Sequence, residues 1–140
     1  MNNNLSINHW AVVGASVLTF ILAFVWYGPL FGESWAIGAG ITDPNPPTTW
    51  ATILAFVVGL FSCYGIAFLL KWSNKTGLKS GIQIGLFISI AFLLQVVIGP
   101  WLFAGRFLLF AVNMPYFTIS AVIAGAIIGA TMRPIQLENI

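Results

Sequence analysis

The sequence predicts an all-α fold of four membrane-spanning helices, and three observations support that prediction. Hydrophobic residues make up 59% of the 140 residues and charged residues only 6%, against roughly 25% charged in ordinary soluble domains. The apolar residues form blocks of about twenty, the length that a helix needs to cross a hydrocarbon layer about 30 Å thick. The six tryptophans all lie at block ends or between blocks, where indole rings collect at a membrane surface. We therefore expect a polytopic membrane protein with the lipid bilayer as its partner and solvent.

The chain has the length of a single domain, and glycines, prolines and charges separate its four apolar blocks. The predicted spans are residues 10–27, 50–70, 81–99 and 108–132. We expect the Gly-Pro pairs at 28–29 and 99–100 to end the first and third spans. Proline lacks a backbone N–H and disfavours the helical conformation of the residue before it.

The longest connection, 28–49, is predicted to have two parts. Its segment 31–37 carries apolar side chains beside Glu33, so we expect a short helix lying flat at the membrane surface. Three prolines between positions 44 and 47 then favour an extended linker, after which Thr48 or Thr49 is available to cap the next helix.

The basic residues predict the orientation of the chain. Short cytoplasmic loops carry an excess of Lys and Arg, and Lys71, Lys75 and Lys79 share the second loop while Arg133 follows the last span. Only Arg106 lies on the opposite side. We expect both termini in the cytoplasm, and the first span to be retained because no basic residue precedes it and no small-residue cleavage site follows.

The motif WYGPLFGESW at 26–35 has a looser copy, GPWLFAGR, at 99–106. Both copies follow an apolar run and place a charge directly after a glycine. Two tandem helical hairpins of the same orientation would produce this pattern, as in transporters with parallel repeats. Chance similarity in so apolar a chain would produce it equally well, and the sequence leaves both explanations open.

The two copies place opposite charges, Glu33 and Arg106, at equivalent positions on one side of the membrane. A charge near lipid is tolerated when it is paired, so the sequence favours an ion pair between these side chains. The alternative is that each reaches water separately. We refer to the residues of both copies as the outer-face cluster: Trp26, Tyr27, Pro29, Phe31, Gly32, Glu33, Trp35, Gly105 and Arg106.

Polar residues within the spans form a second candidate site, composed of Gln95, Asn113 and Tyr116. Pro115 removes the helical partner of the Ala111 carbonyl, and such breaks in membrane helices often line cavities. A polar ligand site is one explanation. A kinked helix whose polar groups satisfy each other, or a helix that begins near Asn113, explains the pattern without a ligand.

Small residues at four-residue spacing predict faces where helices pack closely. Gly81 and Gly85 form such a pair in the third span, and Ala121, Gly125 and Gly129 form a row in the fourth. The spacing does not reveal whether the partner helix belongs to the same chain.

Several kinds of site are not expected. One histidine, one cysteine and three carboxylates are too few and too scattered for a metal site or an acid-base pair. No glycine loop followed by Lys-Ser/Thr is present for phosphate. The five basic residues form no stripe for nucleic acid. We expect no metal, no cofactor, no nucleic-acid partner and no catalytic residues.

The WYGPLFG stretch with Trp35, the FAGR stretch, and then Asn113 and Tyr116 resemble the family called domain of unknown function 1761, a group of bacterial four-helix membrane proteins. The resemblance covers nearly the whole chain and implies location in a bacterial cell membrane. Family members often carry an acidic residue and a histidine where this chain has Ala104 and Phe117. The family has no established activity, so the resemblance implies an architecture without a reaction.

Three classes of function follow from these observations. The first is a non-enzymatic membrane component, acting as a homo-oligomer or as an accessory subunit of another membrane protein, with the outer-face cluster as its contact surface. The second is a subunit of a small-solute transporter or channel, which would need several copies because one four-helix bundle fills its own centre. The third, a lipid-directed membrane enzyme, lacks recognisable catalytic groups.

Overall fold

The computed structural model describes residues 5–42 and 45–134, and within them it is all-α apart from one two-stranded ribbon. Four helices are long and apolar enough to cross a membrane. They are His9–Leu30, Thr49–Trp72, Leu78–Ala104 and Phe107–Thr131. The predicted fold class is confirmed, and the four long helices overlap the four predicted spans, with ends that differ by a few residues.

Six α-helices, two π-helical turns and two strands follow each other along the described residues. The α-helices are α1 (His9–Val25), α2 (Gly32–Ala39), α3 (Thr49–Trp72), α4 (Leu78–Ile88), α5 (Leu94–Ala104) and α6 (Phe107–Thr131). A π-helical turn, Trp26–Leu30, extends α1, and a second one, Ser89–Leu93, joins α4 to α5 into one continuous helix. Strand β1 (Leu5–Ser6) pairs antiparallel with β2 (Arg133–Pro134).

The four long helices alternate in direction, so the bundle has two distinct ends. We call the end with Lys71, Lys75 and Lys79 the lysine end, and the end with the two Gly-Pro pairs the Gly-Pro end. The β1–β2 ribbon lies at the lysine end, where α1 begins and α6 ends. The Gly77 N–H donates to the Gly129 carbonyl there, at 2.7 Å, and ties the start of α4 to the last turns of α6.

The prediction that the Gly-Pro pairs end two spans is wrong, because both prolines lie inside helices. At Pro29 the helix widens into the π turn, in which the Phe31 N–H donates to the Trp26 carbonyl five residues back, at 2.8 Å. The α5 helix continues through Pro100 to Ala104. A proline leaves one carbonyl without its partner, and a membrane-type helix tolerates this where local adjustment compensates.

Two side chains cap the long helices as hydrogen-bond acceptors. Thr48 Oγ1 accepts from the Ala51 N–H at 3.3 Å and begins α3, as the sequence predicted. Asn8 Oδ1 accepts from the Ala11 N–H at 3.2 Å and begins α1. Each cap satisfies a backbone donor that the first helical turn leaves free.

The buried core lies in the lysine-end half of the bundle, where α1, α3 and α6 meet. Its members are mostly small or aliphatic side chains, which allow the helix axes to approach: Leu5, Val12, Ala15, Cys63, Ile66, Ala67, Leu70, Ala124, Ile128 and Met132. Toward the Gly-Pro end, most side chains of α3 are exposed rather than packed against another helix.

The predicted small-residue faces of the third and fourth spans contact each other within the same chain. A Cβ atom placed on Gly81 or Gly85 would collide with the backbone of α6 at Gly125 or Ala121. A Cβ on Gly129 would lie 2.7 Å from the Gly77 carbonyl oxygen. The α4 and α6 backbones therefore touch directly, and only glycine permits that distance.

Candidate functional site at the Gly-Pro end

Two consecutive aromatic side chains of the first π turn reach across to α6. Trp26 Nε1–H donates to the Val112 carbonyl at 3.1 Å, and the Tyr27 hydroxyl donates to Asn113 Oδ1 at 3.0 Å. Val112 and Asn113 lie within the turn before Pro115, whose missing N–H leaves the Ala111 carbonyl without its helical partner. Side chains from the π turn that extends α1 thus add hydrogen bonds to α6 in the turn before its proline.

Tyr116 completes this contact from the α6 side. Its ring meets the Tyr27 ring edge-on, with centroids 4.8 Å apart, and its hydroxyl donates to the Thr19 carbonyl of α1 at 3.4 Å. The helix α6 is continuous through Pro115 from Phe107 onward. The alternative in which the fourth helix begins near Asn113 is therefore wrong, and the polar groups here satisfy one another.

Trp26 and Tyr27 also contact the segment that follows the π turn. The Trp26 and Phe31 rings lie 4.7 Å apart, and the Tyr27 and Trp35 rings lie 5.8 Å apart in an edge-on arrangement. Gly32 begins α2 beside the Tyr27 carbonyl, where a Cβ would be 2.7 Å from that oxygen. This arrangement folds α2 back against the bundle.

The short helix α2 rests on α6 rather than lying free at a membrane surface. A Cβ on Gly38 would come within 2.5 Å of the Leu109 nitrogen, so the two backbones are in contact. Gly38 and Ala36 are buried, whereas Ile37 and Glu33 face outward. The sequence predicted this short helix at the membrane surface. In the structure it packs against α6.

The predicted ion pair between Glu33 and Arg106 is not formed in the described part of the chain. Arg106 donates through its guanidinium to the Ala39 carbonyl at 3.0 Å, at the C-terminal end of α2. The last carbonyls of a helix lack backbone partners and carry partial negative charge, so they attract a cation. Arg106 therefore joins the two predicted loops, as expected, through a different acceptor.

The two copies of the motif also differ in backbone conformation. Gly105 adopts a left-handed conformation with φ of +66° and ends α5, whereas Gly32 lies inside the first turn of α2. Pro29 lies in a π turn and Pro100 in an α-helix. Residues at equivalent positions of the two copies therefore have different structural roles.

Gln95 does not join Asn113 and Tyr116. Its side chain lies on an exposed face of α5, while the other two are partly buried and bonded to α1. The predicted polar site is therefore divided into a satisfied group inside the bundle and a separate amide on its surface.

A family model described as protein of unknown function (DUF1761) matches residues 10–129. The chain belongs to the DUF1761 family. The matched range contains both motif copies and nearly all of the four long helices, so the resemblance read from the motifs is confirmed. No curated protein and no solved structure matches the chain.

This DUF1761 chain has an open groove beside the aromatic contact, with a volume of about 330 Å³. It lies between α1 and α3 and is lined mainly by apolar side chains, among them Phe20, Phe24, Tyr27 and Pro47. Among the described residues, no group of three His, Cys, Asp or Glu side chains could hold a metal ion.

Among the interior hydroxyl residues that sequence reasoning missed in this DUF1761 chain are three near the contact between α1 and α6: Ser16 and Thr19 of α1, and Ser120 of α6. A signal for them existed. Asn113, Tyr116 and Ser120 recur at helical spacing on one face of α6, and Ser16 and Thr19 do so on α1. Reading both faces together would have indicated a polar row between two antiparallel helices.

Proposed function

We propose that this DUF1761 chain is a non-enzymatic integral membrane protein that acts as an oligomer, with a second copy of the chain bound at the exposed face of α5. The observation that carries the proposal is the exposed amide of Gln95 in the third long helix. An unpaired amide facing lipid is costly. A partner helix that bonds the amide removes that cost.

The chemistry of the side chain favours an identical partner. An amide carries both donors and an acceptor, so two Gln95 side chains satisfy each other across a two-fold axis. Two copies inserted in the same direction bring this residue to the same depth. A charged residue at this position would instead require a partner of opposite sign.

The surroundings of Gln95 support helix packing on this side. A stripe at helical spacing runs from Phe92 in the second π turn to Gln95, Val96 and Gly99 of α5. Val96 is 74% exposed, and a Cβ on Gly99 would meet nothing within 4 Å. The stripe therefore has room for a second helix, with a small residue at the position where two helices would approach most closely.

The outer-face cluster is less suited to be the contact surface than the sequence suggested. Trp26, Tyr27 and Arg106 form their hydrogen bonds within the same chain. The exposed face of α5 keeps its polar group available. We therefore place the oligomer contact on α5, and hold binding of a different membrane protein there as the competing outcome.

The experiment is disulfide crosslinking in native membranes, in a chain whose single native cysteine is replaced by Cys63→Ala. Val96→Cys on the stripe should form a dimer on oxidation, and Val58→Cys, exposed on α3, is the matched control that should not. Dimers from the control alone, or crosslinks from Val96→Cys only to another protein, would refute the proposed homo-oligomer.

Gln95→Leu tests the amide itself by measuring dimerisation through energy transfer between labelled chains in lipid vesicles. Two interhelical hydrogen bonds at roughly 0.6 kcal/mol each predict a dissociation constant about eightfold higher. An unchanged constant would show that Gln95 contributes nothing to association.

The membrane and the orientation are part of the same proposal. We infer a bacterial cell membrane, with both termini and the lysine end in the cytoplasm. The three lysines of the second loop support this, because short cytoplasmic loops are enriched in basic residues.

A further inference from the structure

Two buried serine hydroxyls in the bundle interior form no hydrogen bond within the described residues: Ser16 Oγ on α1 and Ser120 Oγ on α6. Ser16 is only 1% exposed. A hydroxyl removed from water without a partner is costly, and such groups in native proteins are usually satisfied by an ordered water.

The other interior hydroxyls donate to a backbone carbonyl of their own helix, a bond that Ser16 and Ser120 do not form. Thr19 donates to the Ala15 carbonyl, Ser89 to the Gly85 carbonyl and Thr131 to the Ile127 carbonyl, each four residues back. This bond is available to a serine or threonine in any helix. Ser16 and Ser120 do not make it, so their hydroxyls are free for another acceptor or donor.

The register of α1 against α6 brings the two serines to the same level. The helices run antiparallel, and Trp26 contacts Val112 while Thr19 contacts Tyr116. One turn further along each helix from the Thr19–Tyr116 contact lie Ser16 and Ser120. Ser120 lies one turn from Tyr116 on the same face of α6, the face that bonds α1.

We propose that Ser16 and Ser120 together hold a buried water molecule that bridges α1 and α6. A hydroxyl both donates and accepts, and a water molecule does the same, so one water satisfies both serines at once. The Tyr116 hydroxyl, which lies near Ser120, is the third polar group at this place. Three partners are the usual number for a buried water.

This site continues the polar contact at the Gly-Pro end into the interior. The Tyr27–Asn113 and Tyr116–Thr19 bonds come first, and the water between the serines extends the row by one more turn. The buried Cys63 thiol lies close to it, near the Thr19 hydroxyl one turn from Ser16. Cys63 is the single cysteine of the chain, so it can report on the site without any label.

The test follows the S–H stretch of Cys63 by infrared spectroscopy after transfer of the membrane-embedded protein into D₂O. We expect the thiol to exchange to S–D at least tenfold faster in the wild type than in the Ser16→Ala/Ser120→Ala double variant. Ser62→Ala is the matched control, because Ser62 bonds to its own helix on an exposed face of α3, and it should exchange like the wild type. No exchange in the wild type, or equal exchange in the double variant, would overturn the proposal.

A density map of the wild type at a resolution that shows ordered water is the second test, and it does not depend on any variant. A peak within hydrogen-bond distance of both serine Oγ atoms supports the site. Empty density, or two serine hydroxyls bonded directly to each other, would refute it.

Discussion

At the residue scale, the Gly-Pro end is held together by side chains that donate hydrogen bonds to a neighbouring helix. Trp26 and Tyr27 donate to Val112 and Asn113 beside Pro115, and Arg106 donates to the end of α2. Each bond joins segments far apart in sequence. Together they fix how α1, α2 and α6 meet at the Gly-Pro end.

The bond between Tyr27 and Asn113 gives a double-mutant cycle. Tyr27→Phe leaves the partly buried Asn113 oxygen without its donor, and we expect a loss of about 1 kcal/mol in the free energy of unfolding. In the Asn113→Leu background the same change should cost much less, because no acceptor is left unpaired. Reversible unfolding of the four variants in detergent measures this. Strictly additive losses would show that the bond contributes nothing.

A second prediction concerns Arg106. It distinguishes the observed acceptor, the Ala39 carbonyl, from the predicted one, Glu33. Arg106→Gln should speed amide exchange in the last turn of α2, because that turn loses the charged donor at Ala39. Glu33→Gln should leave exchange in α2 unchanged, and Arg133→Ala at the other end serves as a control. If the Glu33→Arg/Arg106→Glu double reversal restored protection, the two side chains would be an ion pair after all.

Residue types were easier to predict than partners. Trp26, Tyr27, Asn113 and Tyr116 were each recognisable from sequence as amphipathic or polar residues in an apolar chain. Their pairing depends on the relative depth and rotation of α1 and α6, which no local pattern encodes. Glu33 and Arg106 were paired by charge alone, although a helix end supplied a nearer acceptor.

At the element scale, close backbone contacts determine which helices are neighbours. The α4 and α6 backbones meet along Gly81, Gly85, Gly125 and Gly129, and α2 meets α6 at Gly38. Association of helices in lipid depends on such packing, because lipid supplies no hydrophobic drive between helices.

Replacing these glycines with alanine tests the contact. Gly85→Ala and Gly129→Ala should each lower the free energy of unfolding by about 1 to 3 kcal/mol, since the new methyl group collides with backbone. Gly65→Ala in α3 meets nothing within 4 Å and should stabilise by about 0.5 to 1 kcal/mol through higher helix propensity. Thermal unfolding followed by circular dichroism distinguishes these outcomes. Equal effects at all three positions would contradict the packing.

The glycine spacing made the packing faces visible in the sequence, whereas the π turns were not. The turn at Ser89–Leu93 adds one residue to the helix, so the residues after it rotate by about 100° relative to the face set by Gly81 and Gly85. Gln95 follows that turn. This rotation explains why an amide predicted to lie with Asn113 and Tyr116 is exposed on α5 instead.

At the scale of the whole molecule, composition and block length were sufficient to predict four long helices and their alternating directions. The strength of that inference comes from the bilayer, which restricts spanning segments to helices or closed barrels. Helix ends were less predictable, since Pro29 and Pro100 lie inside helices rather than after them. The exposed α5 stripe and the groove between α1 and α3 depend on how the helices are arranged, so they could not be predicted from the sequence of any one segment.

The crossing of a membrane by all four helices is the claim on which both proposals depend. Cysteine accessibility tests it, with Asn45→Cys at the Gly-Pro end and Thr76→Cys at the lysine end, each in a Cys63→Ala chain. Both positions are exposed. A maleimide that cannot cross the bilayer should label Asn45→Cys in right-side-out vesicles only and Thr76→Cys in inverted vesicles only. Labelling of both positions from the same side would contradict the four-span account.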